Sequence, residues 1–238
     1  MYGYGYRYNS GLVVGAGGGG GGFTNTYSLD FDGVDDYVSA PQSFLNSAST
    51  FSMSFWAKKP TAADTLNIGS RIAVYQGMWL NWFSDSNVYF QVRGGANESI
   101  IFSLPFDTDW HHFLCTFNNG FANVYVDGIL KATQTFTAVV TPPTTGDNFR
   151  VGSLDASNFG KSTIDEVALW DSVIPIGDVW DGSGAATDLS LLATPPLHWY
   201  RNGDNDTYPT IADVGSLASN PGTMTNMTAG SIVSDVPL

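Results

Sequence analysis

The residues of this 238-residue chain that could do chemistry are mostly acids: twenty Asp, but only two Glu (Glu98 and Glu166), three His and one Cys. Acid/base cleavage of a glycosidic bond needs two carboxyl groups facing each other across it. Glu166 directly follows Asp165, and neighbouring side chains on a regular strand point to opposite faces, so this pair is expected not to flank one bond. The same rule separates His111 from His112 as joint metal ligands. With His198, they read as structural histidines. Cys115 sits in an apolar stretch and reads as a buried, inert thiol; a single Cys excludes an intrachain disulfide framework and a Cys-rich zinc site. No Ser stands in a nucleophile-elbow motif. The expectation is a chain that binds or displays, and no enzyme.

Two chemical resources remain. Asp32-Gly33-Val34-Asp35-Asp36 gathers three carboxylates on one turn, the oxygen donors that a hard cation such as Ca2+ takes, although such a turn also caps its own amides without an ion. Asn202-Gly203-Asp204-Asn205-Asp206 is a looser candidate and lacks the closing Glu of an EF-hand loop. Aromatic rings crowd Val74 to Phe83 as Tyr75, Trp79 and Trp82, and ring faces stack on sugars while Asp and Asn bond the hydroxyls. Trp79 and Trp82 are three apart, so on a regular strand at most one of them lines a shared surface, and core packing is the alternative role for either ring.

The elements that must hold these residues have a period of two, not 3.6. Phe51, Met53, Phe55 and Ala57 alternate with Ser52, Ser54, Trp56 and Lys58; Val88, Phe90 and Val92 alternate with Asn87, Tyr89, Gln91 and Arg93. Both read as half-buried strands. More strands are expected at Trp110 to Phe117, Ala122 to Val126, Phe149 to Gly152 and Ile164 to Trp170. Asp127-Gly128 is a hairpin turn that pairs Ala122 to Val126 with Ile129 to Thr133. Met1 to Gly22 stands apart: it holds Tyr2, Tyr4, Tyr6 and Tyr8, ten of the 27 glycines and no acid. Alternating Tyr puts four rings on one face of an extended arm, followed by a Gly linker. Composition bounds the partners. At 43% hydrophobic and 13% charged the chain can bury a sizeable core, while a net charge of −13 disfavours nucleic acid and anionic lipid. No apolar run is long enough to span a bilayer as a helix.

Several stretches together resemble the laminin G-like, concanavalin A-like jelly-roll family: Leu29 to Val38 (LDFDGVDDYV), Phe51 to Trp56 (FSMSFW), Trp110-His111-His112, Thr116 to Gly120 (TFNNG), Val124 to Gly128 (VYVDG) and Ile164 to Trp170 (IDEVALW). Their order over about 140 residues makes the match specific. The resemblance implies an all-β, two-sheet antiparallel jelly-roll sandwich, here with the Tyr/Gly-rich arm ahead of it. Leu197 to Asp204 (LHWYRNGD), Thr210 to Asp213 and Gly222 to Asn226 are similar to the family's opening segment but come last. That order implies a circular permutation, with residues 1–22 as arm and linker and residues 23–238 as the jelly roll, its last strand elements supplied by 195–238. The Glu-x-Asp-x-x-Glu strand of the family's glycan hydrolases is missing. The family's rim calcium carries over to Asp32, Asp35 and Asp165 as metal ligands.

On this reading the chain is a virion structural, decoration or fibre protein, of the kind found in bacteriophages. It displays an adhesion domain at the virion surface and is anchored to other virion chains through Tyr2, Tyr4, Tyr6 and Tyr8. Host-surface glycans would bind at Tyr75, Trp79 and Trp82, and the assembly would be homo-oligomeric. The alternative is a free carbohydrate-binding module or surface lectin, extracellular or at a cell surface.

Overall fold

In a computed structural model, residues 23–41, 48–73, 76–94, 99–136 and 148–238 are described. Sixteen strands follow one another among them: β1 Ser28–Asp32, β2 Tyr37–Ala40, β3 Thr50–Lys58, β4 Leu66–Ala73, β5 Gln76–Trp82, β6 Asn87–Gly94, β7 Ile100–Ser103, β8 His111–Asn118, β9 Phe121–Val126, β10 Ile129–Thr135, β11 Phe149–Val151, β12 Lys161–Trp170, β13 His198–Tyr200, β14 Thr210–Ile211, β15 Gly222–Thr225 and β16 Ile232–Val233. They form two eight-stranded antiparallel sheets. The first runs β10-β9-β8-β3-β12-β1-β16 with β13 also paired to β12; the second runs β14-β15-β2-β11-β4-β5-β6-β7. This is a jelly-roll sandwich.

Alternation explains the core. Phe51, Met53, Phe55 and Ala57 of β3 meet Ile68, Leu80 and Phe90 of the other sheet in one apolar cluster. The opposite face of β3 is a correction to the half-buried expectation, because its small polar residues are covered too. Ser52 Oγ donates to Ser172 O at 2.7 Å and accepts from Ile174 N at 3.0 Å, and Trp180 packs on Trp56 with ring centroids 5.4 Å apart. The segment after β12 thus roofs the first sheet, burying Leu114, Trp170, Ile174, Val179, Leu189 and Trp199 as a second cluster.

Residues 197–238 feed both sheets. β13 pairs with β12, β15 with β2 and β16 with β1. Ile211, Met224 and Met227 belong to the same cluster as Phe31 and Phe55. Asp213 holds this region together. Its carboxylate accepts from His198 Nδ1 at 2.7 Å and from the amides of Trp199, Gly215 and Asn220 at 3.1 Å each.

Candidate functional site

Register across β4, β5 and β6 lines up Gly69, Trp79 and Gln91 in one row and Asn67, Asn81 and Tyr89 in the next. Their neighbours Ile68, Leu80 and Phe90 point into the core, so these two rows face outward. Over them lies a cavity of about 390 Å³, a size suited to a small ligand. Trp79, Asn67, Asn81 and Gln91 form its floor; Thr65 and Phe83 flank it; Leu154, Ser157, Asn158 and Phe159 form a wall. No acidic or basic side chain lines it among the described residues.

The wall is a built loop. Asp155 Oδ1 accepts from the amides of Ser157 at 2.9 Å and Asn158 at 3.0 Å, a turn that an Asp carboxylate favours. Gly152 N donates to Asn67 O at 3.0 Å, and Leu154 N to Asn158 O at 3.1 Å. A Cβ on Gly160 would stand 2.8 Å from both Asn67 N and Thr65 O, so only glycine lets the loop close on β4. Gly69, at φ +134°, plays the matching part beside Trp79, where a Cβ would collide with Met78 O and Trp79 Cα. The amides form a chain: Asn81 Nδ2 donates to Asn67 Oδ1, and Asn67 Nδ2 to Asn158 O at 3.1 Å. Gln91 is 8% exposed, and its Oε1 has no hydrogen-bond partner.

Of the three rings read as ligand-binding, the structure brings Trp79 to this cavity. Trp82 points the other way. It is fully buried, its Nε1 donates to Leu104 O at 3.1 Å, and Lys59 Nζ lies 4.4 Å from its ring centre. Trp82 is a core residue because three positions along a strand reverse the face. Tyr75 lies outside the described residues, as do Tyr2, Tyr4, Tyr6 and Tyr8.

Asp32, Asp35 and Asp36 bring one carboxylate oxygen each to within 4.8 Å of one another. Asp32 Oδ1 accepts from Val34 N at 2.7 Å, and Asp36 Oδ2 from Asp32 N at 3.3 Å. Burial, and then the charge of Asp32, push the Asp36 carboxyl up. An oxygen-only set with crowded negative charge fits a Ca2+ ion. Asp165 is not part of this group. Asp32 pairs with Lys161, and Asp165 lies four residues further along β12 opposite Trp56, roughly 13 Å away at strand spacing.

Asp165 instead joins a buried cluster that the alternation rule hides. The β12–β3 register slips between Asp165 and Ala168, and Glu166 takes the left-handed φ of 49°. Ile164 and Val167 both enter the core, so Asp165 and Glu166 share the outer face. The expectation that they point apart is overturned by this bulge. Asp165 accepts from Asn25 Nδ2 at 2.8 Å; Glu166 accepts from Trp199 Nε1 at 2.6 Å and Arg201 Nε at 3.0 Å; Arg201 Nη2 also reaches Asp204 Oδ2 at 3.0 Å. Burial pushes both carboxyls up, Asp165 further by the charge of Glu166 and Glu166 in spite of Arg201. Asp204 and Asp206 are likewise spent on the protein: Asp204 takes Thr26 N at 2.9 Å, and Asp206 takes Gly203 N and Ala212 N at 2.7 Å. The histidines also serve structure. His111 bridges Asp127 and Asp107 at 2.7 and 2.9 Å, and His112 Nε2 meets Ser54 Oγ at 2.8 Å on the opposite face.

Residues 32–179 match the sequence profile of the concanavalin A-like lectin/glucanases superfamily in its laminin G form. The chain belongs to that superfamily. Among solved structures, the superfamily fold is seen in a Bacteroides ovatus protein provisionally described as carbohydrate-binding, with 17% identity and a TM-score of 0.68 over 91% of this chain and 62% of that one. The binding domain of botulinum neurotoxin serotype D gives 18% identity and a TM-score of 0.51 over 81% of this chain and 54% of that one. The chain therefore spans less than two thirds of either protein. No curated protein sequence matches it. Within the superfamily fold, the cavity lies on the outward face of the second sheet, and the buried carboxylates lie on the outward face of the first.

Proposed function

We propose that the chain is a non-catalytic carbohydrate-binding domain that takes a glycan in the cavity over β4, β5 and β6. The observation that carries this reading is the lining itself: an indole and three side-chain amides on neighbouring strands, with no carboxylate among the described residues to act as acid, base or nucleophile. A sugar offers what such a lining needs, an apolar ring face for Trp79 and hydroxyls for the amides. The description of the Bacteroides relative as carbohydrate-binding agrees with it. The test is a glycan array on the full chain and on Trp79→Ala. Expected is binding to at least one glycan class, weakened about tenfold or more by the substitution. Binding to none, or binding indifferent to Trp79, would sink the reading.

The same proposal includes a structural Ca2+ on Asp32, Asp35 and Asp36, with Asp36 in place of Asp165. It would relieve the crowding of three like charges and stabilise the folded state by about 2.7 kcal/mol at a hundredfold excess over Kd. A melting temperature that is the same in calcium and in excess EGTA would remove the ion from the account. Display on a virion is the second reading, favoured by the alternating Tyr and Gly of residues 1–8, which suit strand addition to another chain. Deleting residues 1–22 should then abolish co-assembly while glycan binding persists. Unimpaired co-assembly would leave the free lectin.

A further inference from the structure

Resting on that reading of the cavity, we propose that the bound sugar carries an acetamido group and that Gln91 recognises it. Among the amides that line the cavity, Asn81, Asn67 and Asn158 are tied to protein partners: Asn81 to Asn67, Asn67 to the Asn158 backbone, and Asn158 to Asp155 at 2.7 Å. Gln91 differs. It lines the same cavity and is more than nine-tenths buried, yet its Oε1 is closed off from solvent and has no hydrogen-bond partner. A buried acceptor without a donor is a cost that folded proteins rarely leave in place without a use. The terminal torsion of Gln is soft, so the carboxamide plane can turn toward the cavity that its side chain lines.

A carboxamide offers one acceptor beside one donor. A hydroxyl meets these one at a time, whereas an acetamido group presents N–H and C=O together and can make two parallel bonds, N–H to Oε1 and Nε2–H to C=O. Its methyl group needs an apolar surface. Trp79 stands directly across the strand pair from Gln91, and Leu154 and Phe159 face the cavity from the wall. Among the described residues the lining is neutral, which selects against charged sugars. A free amino sugar would bring an ammonium, and a uronic acid a carboxylate, to a lining in which no described residue carries the opposite charge.

Isothermal titration of the full chain with N-acetylglucosamine and N-acetylgalactosamine, against glucose, galactose and glucosamine, tests this. Expected is affinity for at least one N-acetylated sugar about tenfold or more above its hydroxyl and free-amine counterparts. Gln91→Leu should bring that ratio to within about twofold while Trp79 still supports residual binding, and its melting temperature should not fall, because an unmet acceptor is removed. Equal affinity for glucose and N-acetylglucosamine, or a ratio unchanged in Gln91→Leu, would overturn the acetamido assignment and leave the glycan site standing. No binding of any of the five, with other glycans positive on the array, overturns this assignment alone; silence in both experiments removes the glycan reading with it.

Discussion

Two tryptophans three positions apart divide function from stability. Trp82 fills the core between the sheets, so Trp82→Ala should cost about 3–5 kcal/mol, read as a large drop in the denaturation midpoint. Trp79 lies on the outward face but is only 4% exposed, so Trp79→Ala should lose ligand and stability together, whereas Trp82→Ala should lose stability and keep the ligand. Equal effects of the two on ligand binding by the folded variants would contradict the assignment of faces. The Asp165–Glu166 pair makes a second prediction, one of unusual sign. Burial raises both carboxyls in the folded state, so it holds more protons there than the unfolded chain does, and stability falls as pH rises from the ordinary carboxylate pKa near 4 toward neutrality. His112 acts in the opposite direction: burial lowers it to about 4, so stability falls as pH drops below about 6.5. Glu166→Gln should flatten the rising-pH loss in a melting series from pH 4 to 8. An unchanged slope would show that the pair holds no extra proton.

At the level of elements, the wall of the cavity depends on the approach of Gly160 to β4. Gly160→Ala forces a methyl against two backbone atoms at 2.8 Å, so the loop must retreat. The expected result is a stability loss of about 1–3 kcal/mol, together with weakened glycan binding measured by titration. Full binding would show that the wall does not contribute. The strands that position the site were legible to different degrees. β3, β6 and the Asp127-Gly128 hairpin follow plain alternation and turn chemistry, and their residues enter the core as that pattern requires. β4 has no clear signature in the sequence because Gly69 and Ser70 interrupt its apolar rhythm. Gly69 is there for Trp79, a partner ten residues away that no local pattern names. Likewise Asn67, Asn81 and Gln91 become neighbours only through register. The bulge at Asp165 to Ala168 was hidden for a related reason: the rule that separates adjacent side chains assumes the regular strand that the bulge interrupts.

For the whole molecule, the C-terminal strands matter more than their brevity suggests. β13, β15 and β16 are each paired to a strand from the first three quarters of the chain, and Tyr200, Ile211 and Met224 complete the central cluster. A chain ending at residue 196 would leave that apolar surface and the partner edges of β1 and β2 open. It should show no cooperative thermal transition. A truncated chain that melts as sharply as the full one would mean that residues 197–238 are an accessory.

The segment Phe23 to Thr26 bears on how the molecule would respond to force. Phe23 stacks against Trp199 and Arg201, Thr24 O accepts from Arg201 Nη2 at 2.7 Å, Asn25 reaches Asp165, and Thr26 N reaches Asp204. Immediately after it, β1 is flanked by β12 and β16, both antiparallel. Tension applied through residues 1–22 would meet this short anchorage first and peel it contact by contact. The load would then pass to β1, which is paired over four positions with β12 and over two with β16. A tether drawn from this end would thus yield by a small, early extension before the sheets themselves are loaded, a built-in shock absorber.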